Sequence, residues 1–181
     1  FLDPGTAYVY RIYQTHHCFN ISSLGEGAAT LVRALEPIEG LQVMRKNRAG
    51  ASKNMKDTNL CSGPGKICQA LELDLAHDGL DLITHEVMIQ MPNSIGFNNF
   101  SSSPEFILEE GKEVPERDIV ASPRINIDYA GEWASKPLRF TIRGNPHVSV
   151  KRGATPPSWY FSTSATTSKI CPARHLEISN D

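Results

Sequence analysis

Cysteine is scarce in this chain, with four residues in 181. Cys18, Cys61, Cys68 and Cys171 match no zinc-ligand spacing, because Cys61 and Cys68 lie too far apart for a knuckle and no partner pair follows. A disulfide framework is also out of keeping with so few cysteines in a chain of this size. They read as reduced, partly buried thiols. Long apolar runs are missing as well: none approaches the roughly 18 residues of a membrane-crossing helix. There is little excess of either charge, since 18 Lys and Arg face 20 Asp and Glu, a formal net charge of −2. Bulk electrostatics therefore gives no pointer to nucleic acid. No internal repeat and no signal peptide is visible.

What is present is an ordinary globular composition, 40% apolar and 21% charged, in a chain long enough for one domain with its own core. The near-zero net charge conceals an asymmetry. Between Leu41 and Ala70 the single acid Asp57 faces Arg45, Lys46, Arg48, Lys53, Lys56 and Lys66. Between Leu71 and Val120 acids dominate, among them Asp74, Asp78, Asp81, Glu86, Glu109, Glu110 and Glu113. One basic and one acidic face, or merely solvated loops, account equally well for this pattern.

Asp3-Pro4-Gly5 reads as a turn. Thr6 to Ile12 alternates, with Tyr8, Tyr10 and Ile12 on one face and Ala7, Val9 and Arg11 on the other, the mark of a strand. A polar break over Tyr13 to His16 and a return strand over Cys18 to Ser22 make a hairpin. A third strand is predicted over Ala28 to Leu35, ended by Glu36-Pro37. Ile38 to Asn47 suits a short helix with Leu41 and Met44 inward. Ser62-Gly63-Pro64-Gly65-Lys66 precedes an apolar helical pattern, with Ser62 as N-cap and Pro64 in the first turn. It is not a nucleotide P-loop, which requires glycine at the position of Leu60 and Ser or Thr at that of Ile67. Residues 92–115 look like an irregular insertion. Strands are expected at Arg124 to Ile127 and Leu138 to Ile142, and a short strand or coil at Val148 to Val150. The domain is read as residues 1–152, followed by a Ser-, Thr- and Pro-rich tail over 153–181 that is expected to be disordered.

Four segments, in order, resemble the alkyladenine DNA glycosylase family. The first runs from Asp3-Pro4-Gly5-Thr6-Ala7-Tyr8-Val9-Tyr10 to Asn20-Ile21-Ser22-Ser23. The second is Leu31-Val32-Arg33-Ala34-Leu35-Glu36-Pro37-Ile38-Glu39-Gly40. The third is Leu60-Cys61-Ser62-Gly63-Pro64 with Lys66 and Cys68-Gln69-Ala70-Leu71. The fourth joins Ala130-Gly131-Glu132-Trp133, Lys136-Pro137-Leu138-Arg139-Phe140, Arg143-Gly144-Asn145-Pro146 and Val148-Ser149. Together they span roughly residues 1–150. The resemblance implies a single α+β domain (mixed α/β) with a curved antiparallel sheet and a protruding β-hairpin that enters DNA.

It also implies an activity: rotating a damaged purine out of duplex DNA and hydrolysing its N-glycosidic bond. That chemistry needs a wedge for the vacated gap, a stacking surface for the flipped base and an activated water. Tyr13 matches the intercalating wedge, flanked by Thr15 and His16, where the family is usually more apolar. Tyr10 matches the base-stacking residue. A strand tyrosine on its own is more often core than ligand, but an aromatic face suits cationic 3-methyladenine and 7-methylguanine. Asn20 matches a pocket asparagine whose amide clashes with the exocyclic amino group of normal guanine, and Leu31 lines the same pocket. Arg33 matches an arginine that helps to hold the catalytic water. Taken alone, it requires a carboxylate or phosphate partner, or else a structural ion pair. The backbone C=O of Ile127 is the second expected contact to that water, and Lys66 is expected at a DNA phosphate.

The family's general base, a Glu in a Glu-Thr-Glu-Ala-Tyr-like segment, lies upstream of Asp3-Pro4-Gly5, and no such segment occurs in this chain. The resemblance therefore implies a sequence that begins inside the fold, lacks the catalytic carboxylate and is inactive by itself. The acids from Glu109 to Glu116 match nothing catalytic. No lysine is placed for Schiff-base attack, so monofunctional hydrolysis is expected, without cofactor or metal. Expected substrates are 3-methyladenine, 7-methylguanine, hypoxanthine and ethenoadenine in double-stranded DNA, acted on by a monomer in the nucleus. A non-catalytic DNA-binding relative and an unrelated protein-interaction domain remain the alternatives at this point.

Overall fold

The computed structural model describes residues 2–48, 55–83, 106–108 and 111–149. The expected tail over 153–181, Cys171 and most of the predicted insertion lie outside the described residues. Helix and antiparallel sheet are mixed, an α+β arrangement. Strands β1 (Ala7–Ile12), β2 (His16–Ser22) and β3 (Ala29–Leu31) form an antiparallel sheet in that order. The β1–β2 register pairs Ala7 with Ile21, Val9 with Phe19 and Tyr10 with Cys18. Two further strands, β4 (Ile119–Ser122) and β5 (Arg139–Ile142), pair as a separate antiparallel ladder.

The alternation of β1 places Ala7 and Val9 inward, and their partner Phe19 joins them. Helix α1 (Leu41–Asn47) brings Met44 to this face, and α2 (Pro64–Ala70) brings Ile67, Cys68 and Ala70. Leu60 and Ile67 are 0% exposed, and each contributes about 1.5–3 kcal/mol through burial. Phe106 packs edge-on against Phe19, with ring centroids 5.2 Å apart. Leu108 N donates to Leu82 O at 2.8 Å. Part of the predicted insertion thus serves the core.

Residues 78–82 cover the outer edge of β1: Ala7 N donates to Leu80 O (2.7 Å), Gly79 N to Ala7 O (2.9 Å) and Val9 N to Asp78 Oδ1 (2.8 Å). This satisfies strand groups that would otherwise stand open. Acids that the sequence marks as a charged patch therefore have a structural use.

Several expectations are corrected. The third strand stops at Leu31. Beyond it Val32 N still donates to Phe19 O (3.1 Å), and Leu35 N turns to Cys61 O (3.1 Å), away from strand pairing. Arg124 to Ile127 is not a strand: Asn126 sits at φ 58, which breaks extended geometry, and a 3-10 segment follows over Asp128–Trp133. Ser62 is not the N-cap of α2. Gly63 holds that position, and the Ser62 hydroxyl accepts from Lys66 Nζ instead, at 2.8 Å. The basic stretch is partly structural, because Arg45 pairs with Asp57 and Arg48 donates to the carbonyls of Asn59 and Leu60. Cys18, Cys61 and Cys68 are free and buried, as their scarcity suggested. Burial pushes the thiols of Cys61 and Cys68 up to about 11.

Candidate active site

With one face of the three-stranded sheet given to the core, strand alternation assigns Tyr8, Tyr10, Cys18, Asn20 and Leu31 to the other. The register aligns Tyr8, Asn20 and Leu31 in one row across the strands. Tyr10 and Cys18 form the next row. Val32, just past the end of β3, is buried and donates from its N to Phe19 O, and Arg33 follows it outside the strand. Three of the residues singled out in the sequence, Tyr10, Asn20 and Leu31, therefore share one sheet face.

That face is aromatic and partly open. Tyr8, Tyr10 and Leu31 are all exposed large apolar residues. The Tyr8 and Tyr10 rings lie 5.5 Å apart, tilted by 38°. Burial pushes the Tyr10 phenol up to about 12, with the neighbouring Cys18, Tyr8 and Tyr129 adding to it. It remains neutral over the physiological range. Asn20 is 6% exposed, and its Nδ2 donates to the backbone oxygens of Tyr8 (3.0 Å) and Cys18 (3.5 Å). The amide nitrogen is thereby committed to the two strands, which fixes the side chain in the sheet face and leaves Oδ1 as an acceptor.

The hairpin ends in a strained tip. Tyr13 and Gln14 both have positive φ, 49° and 62°, a region that costs L-residues roughly 1–2 kcal/mol each. Thr15 N donates to Tyr13 O at 2.8 Å, closing a three-residue turn over Gln14. The Thr15 hydroxyl adds bonds to Tyr13 O (3.3 Å) and His16 Nδ1 (2.7 Å). These contacts hold the tip so that Tyr13 projects 84% exposed. Exposing a large ring on a strained turn opposes both hydration and backbone preference, and such expenditure concentrates at functional sites.

Thr15 and His16 thus act first on the turn itself. His16 lies against α2: a Cβ on Gly65 would come within 3.0 Å of its ring. Gly65, which the sequence analysis missed as a site residue, makes room for the hairpin tip beside Lys66. The Lys66 ammonium spends one donor on Ser62 Oγ, and two remain for an anion.

Arg33 finds no ion-pair partner among the described residues. Its Nε is buried with no hydrogen-bond partner. Its neighbour is another cation, Arg139, which is 7% exposed and donates to Ser122 Oγ at 3.1 Å. Burial, and then Arg33, lower the pKa of Arg139. Arg139, an arginine within the apolar run Leu138 to Ile142, is a second group the sequence analysis passed over.

The Ile127 carbonyl accepts from Ala130 N at 2.8 Å, so one lone pair stays available for a further donor. Two residues on, Tyr129 stands 88% exposed. Among the described residues no cluster of three or more His, Cys, Asp or Glu has metal-holding geometry.

Residues 1–146 match the family model described as methylpurine-DNA glycosylase. The chain is 46% identical over 156 residues to the DNA-3-methyladenine glycosylase of Homo sapiens, an alignment covering 83% of this chain and 46% of that protein. It is 44% identical over 155 residues to the Mus musculus protein of the same name, covering 83% of this chain and 42% of that protein. It is also 41% identical over 152 residues to a probable DNA-3-methyladenine glycosylase of Encephalitozoon cuniculi, covering 84% and 64% respectively. The alignments take in about half the length of the two mammalian relatives.

Proposed function

Because the chain belongs to the methylpurine-DNA glycosylase family, we propose that it is the base-binding part of a base-excision-repair enzyme acting on alkylated or deaminated purines in duplex DNA. The reaction is hydrolysis of the N-glycosidic bond to leave an abasic site. Water adds to C1′ of the sugar through an oxocarbenium-like transition state, the bond to the purine breaks, and its electron pair leaves with the base. One water proton passes to a general base. No carboxylate of this chain is assigned that role.

The carrying observation is the partly open face bearing Tyr10, Asn20 and Leu31, beside a hairpin that projects Tyr13. Tyr13 enters the duplex and fills the gap left by the rotated nucleotide, its turn already strained into the projecting form. The base stacks on Tyr10, whose neutral ring presents its face to a cationic or deaminated purine. Asn20, fixed by its bonds to Tyr8 and Cys18, leaves no room for the 2-amino group of guanine. Leu31 closes the apolar end of the row. The unpartnered Nε of Arg33 and the spare lone pair of the Ile127 carbonyl are the donor and acceptor for the attacking water. Lys66 meets a DNA phosphate near the tip, with Thr15 and His16 flanking the wedge. Substrates are 3-methyladenine, 7-methylguanine, hypoxanthine and ethenoadenine, and the protein acts as a nuclear monomer.

The test is release of free base from a duplex oligonucleotide with one hypoxanthine, using the full-length protein. Release that Tyr10→Ala and Arg33→Ala each reduce by at least tenfold supports the reading. DNA binding without any release favours a non-catalytic relative. Absence of both overturns the reading.

A further inference from the structure

The two sheets share no strand pairing among the described residues, so ladder hydrogen bonds do not set how one lies against the other. Side chains must do so, and Glu36 is placed for it. Leu35, just before it, is tied through its N to Cys61 O (3.1 Å), and Pro37, just after it, restricts the backbone. From this fixed exit of β3 the Glu36 carboxylate reaches far along the chain. Its Oε2 accepts from Asn145 Nδ2 at 2.8 Å, and its Oε1 lies 3.9 Å from His147 Nε2. Both oxygens thus engage one turn just beyond β5.

That turn is closed on itself. Asn145 N donates to Ile142 O (3.3 Å), His147 N to Asn145 Oδ1 (2.8 Å) and Val148 N to Asn145 O (3.3 Å). The Asn145 amide is used at both ends, its oxygen within the turn and its nitrogen toward Glu36. The His147 side chain is 12% exposed, and its Nδ1 is buried without a hydrogen-bond partner. Its Nε2 edge is the one turned to the carboxylate. One carboxylate therefore clips a fixed strand exit to a self-closed turn.

Resting on the function proposed above, we propose that Glu36 is a positioning residue for base release, holding the β4–β5 ladder in place against the segment that carries Arg33. The two groups assigned to the attacking water come from opposite sides of this clamp. Arg33 lies just before Glu36, and the Ile127 carbonyl lies on the connection between β4 and β5. The clamp grips the far end of the ladder, because Ile142 pairs with Ile119, whereas the connection leaves at Ser122 and returns at Arg139. The ladder is roughly 10 Å long, so a slackened clamp lets it tilt and moves the carbonyl relative to Arg33. Glu36 itself touches neither DNA nor water in this scheme. Its effect is on geometry, and a misplacement of ~1 Å at reacting groups can cost ~100-fold in rate.

The experiment measures single-turnover release of hypoxanthine from a duplex oligonucleotide by the full-length protein, as the rate at saturating protein and the half-saturating protein concentration. The variants are Glu36→Ala, Glu36→Gln, Asn145→Ala, and Glu36→Ala combined with Asn145→Ala. Glu36→Ala and Asn145→Ala should each slow release by roughly 10- to 100-fold with half-saturation unchanged. The double variant should be no slower than either single one, since both remove the same bond. Glu36→Gln keeps an oxygen for Asn145 and should restore most of the rate. If Glu36→Ala releases base at the unaltered rate, or shifts half-saturation as much as the rate, the inference fails while the glycosylase reading stands. It fails equally if the rate falls only as far as the folded fraction seen by far-UV circular dichroism. Should Glu36→Ala not fold, Asn145→Ala decides by the same criteria. If the unaltered protein releases no base, both fall together.

Discussion

Replacing Arg33 with methionine should stabilise this chain while removing a group proposed for the reaction. A buried donor without a partner costs about 1–3 kcal/mol, and the Nε of Arg33 is such a donor. Arg33 is only partly buried, which places the effect at the lower end. A second contribution has the same sign: the neighbouring Arg139, 7% exposed and hydrogen-bonded to Ser122, is disfavoured in its charged form by Arg33. Methionine retains much of the aliphatic volume and removes the charge. The expected gain is about 1 kcal/mol, or roughly 2–4 °C in Tm for a chain of this size. Urea unfolding of the 181-residue chain followed by far-UV circular dichroism measures it, with an unchanged m-value as the check on two-state behaviour. In an Arg139→Met background the gain should shrink, because the like-charge contribution has gone. A loss of 1 kcal/mol or more on Arg33→Met would refute the reasoning and make Arg33 a structural partner. In the full-length protein the same variant should lose base release and keep DNA binding, the usual opposition of stability and function at a site.

Further expectations are more local. The Tyr10 phenol should titrate near pH 12, above the ordinary 10.0, as a late step in absorbance at ~295 nm that Tyr10→Phe removes. Its raised pKa means that the associated stability is present below pH 10 and is lost as pH rises through about 12; the ring is more than a third exposed, so the loss is small. Cys61 and Cys68, held near 11 against an ordinary 9.0, should resist iodoacetamide at about pH 8 until the chain unfolds; rapid alkylation of the native state would contradict their burial. Gln14→Gly relieves a φ of 62° and should stabilise by about 0.5–1 kcal/mol, and any destabilisation on thermal unfolding would argue against a strained tip. Leu60→Ala, at a residue 0% exposed, should cost about 2–5 kcal/mol.

The sequence by itself determined the hairpin, its inward and outward faces and its tip, because strand alternation is a local, period-two property written into Thr6 to Ser22. The two short helices were legible for the same reason, from apolar spacing and a proline at the first turn. The family motifs named Tyr10, Tyr13, Asn20, Leu31, Arg33, Ile127 and Lys66, but a motif carries identity without position. Tertiary structure alone decided that Tyr10, Asn20 and Leu31 share one partly open face, since this follows from the register of three strands and from which face the helices cover. It also decided that Arg33 acts on the charge of Arg139, more than a hundred residues away. Ser62 was misread because a helix-start serine can serve either the backbone or a side chain, and Lys66, one turn on, won it. Arg124 to Ile127 was misread because its composition allows a strand, whereas Asn126 in the left-handed region turns the chain out of it. That turn leads into the 3-10 segment on which Tyr129 stands exposed, a residue without any local signal.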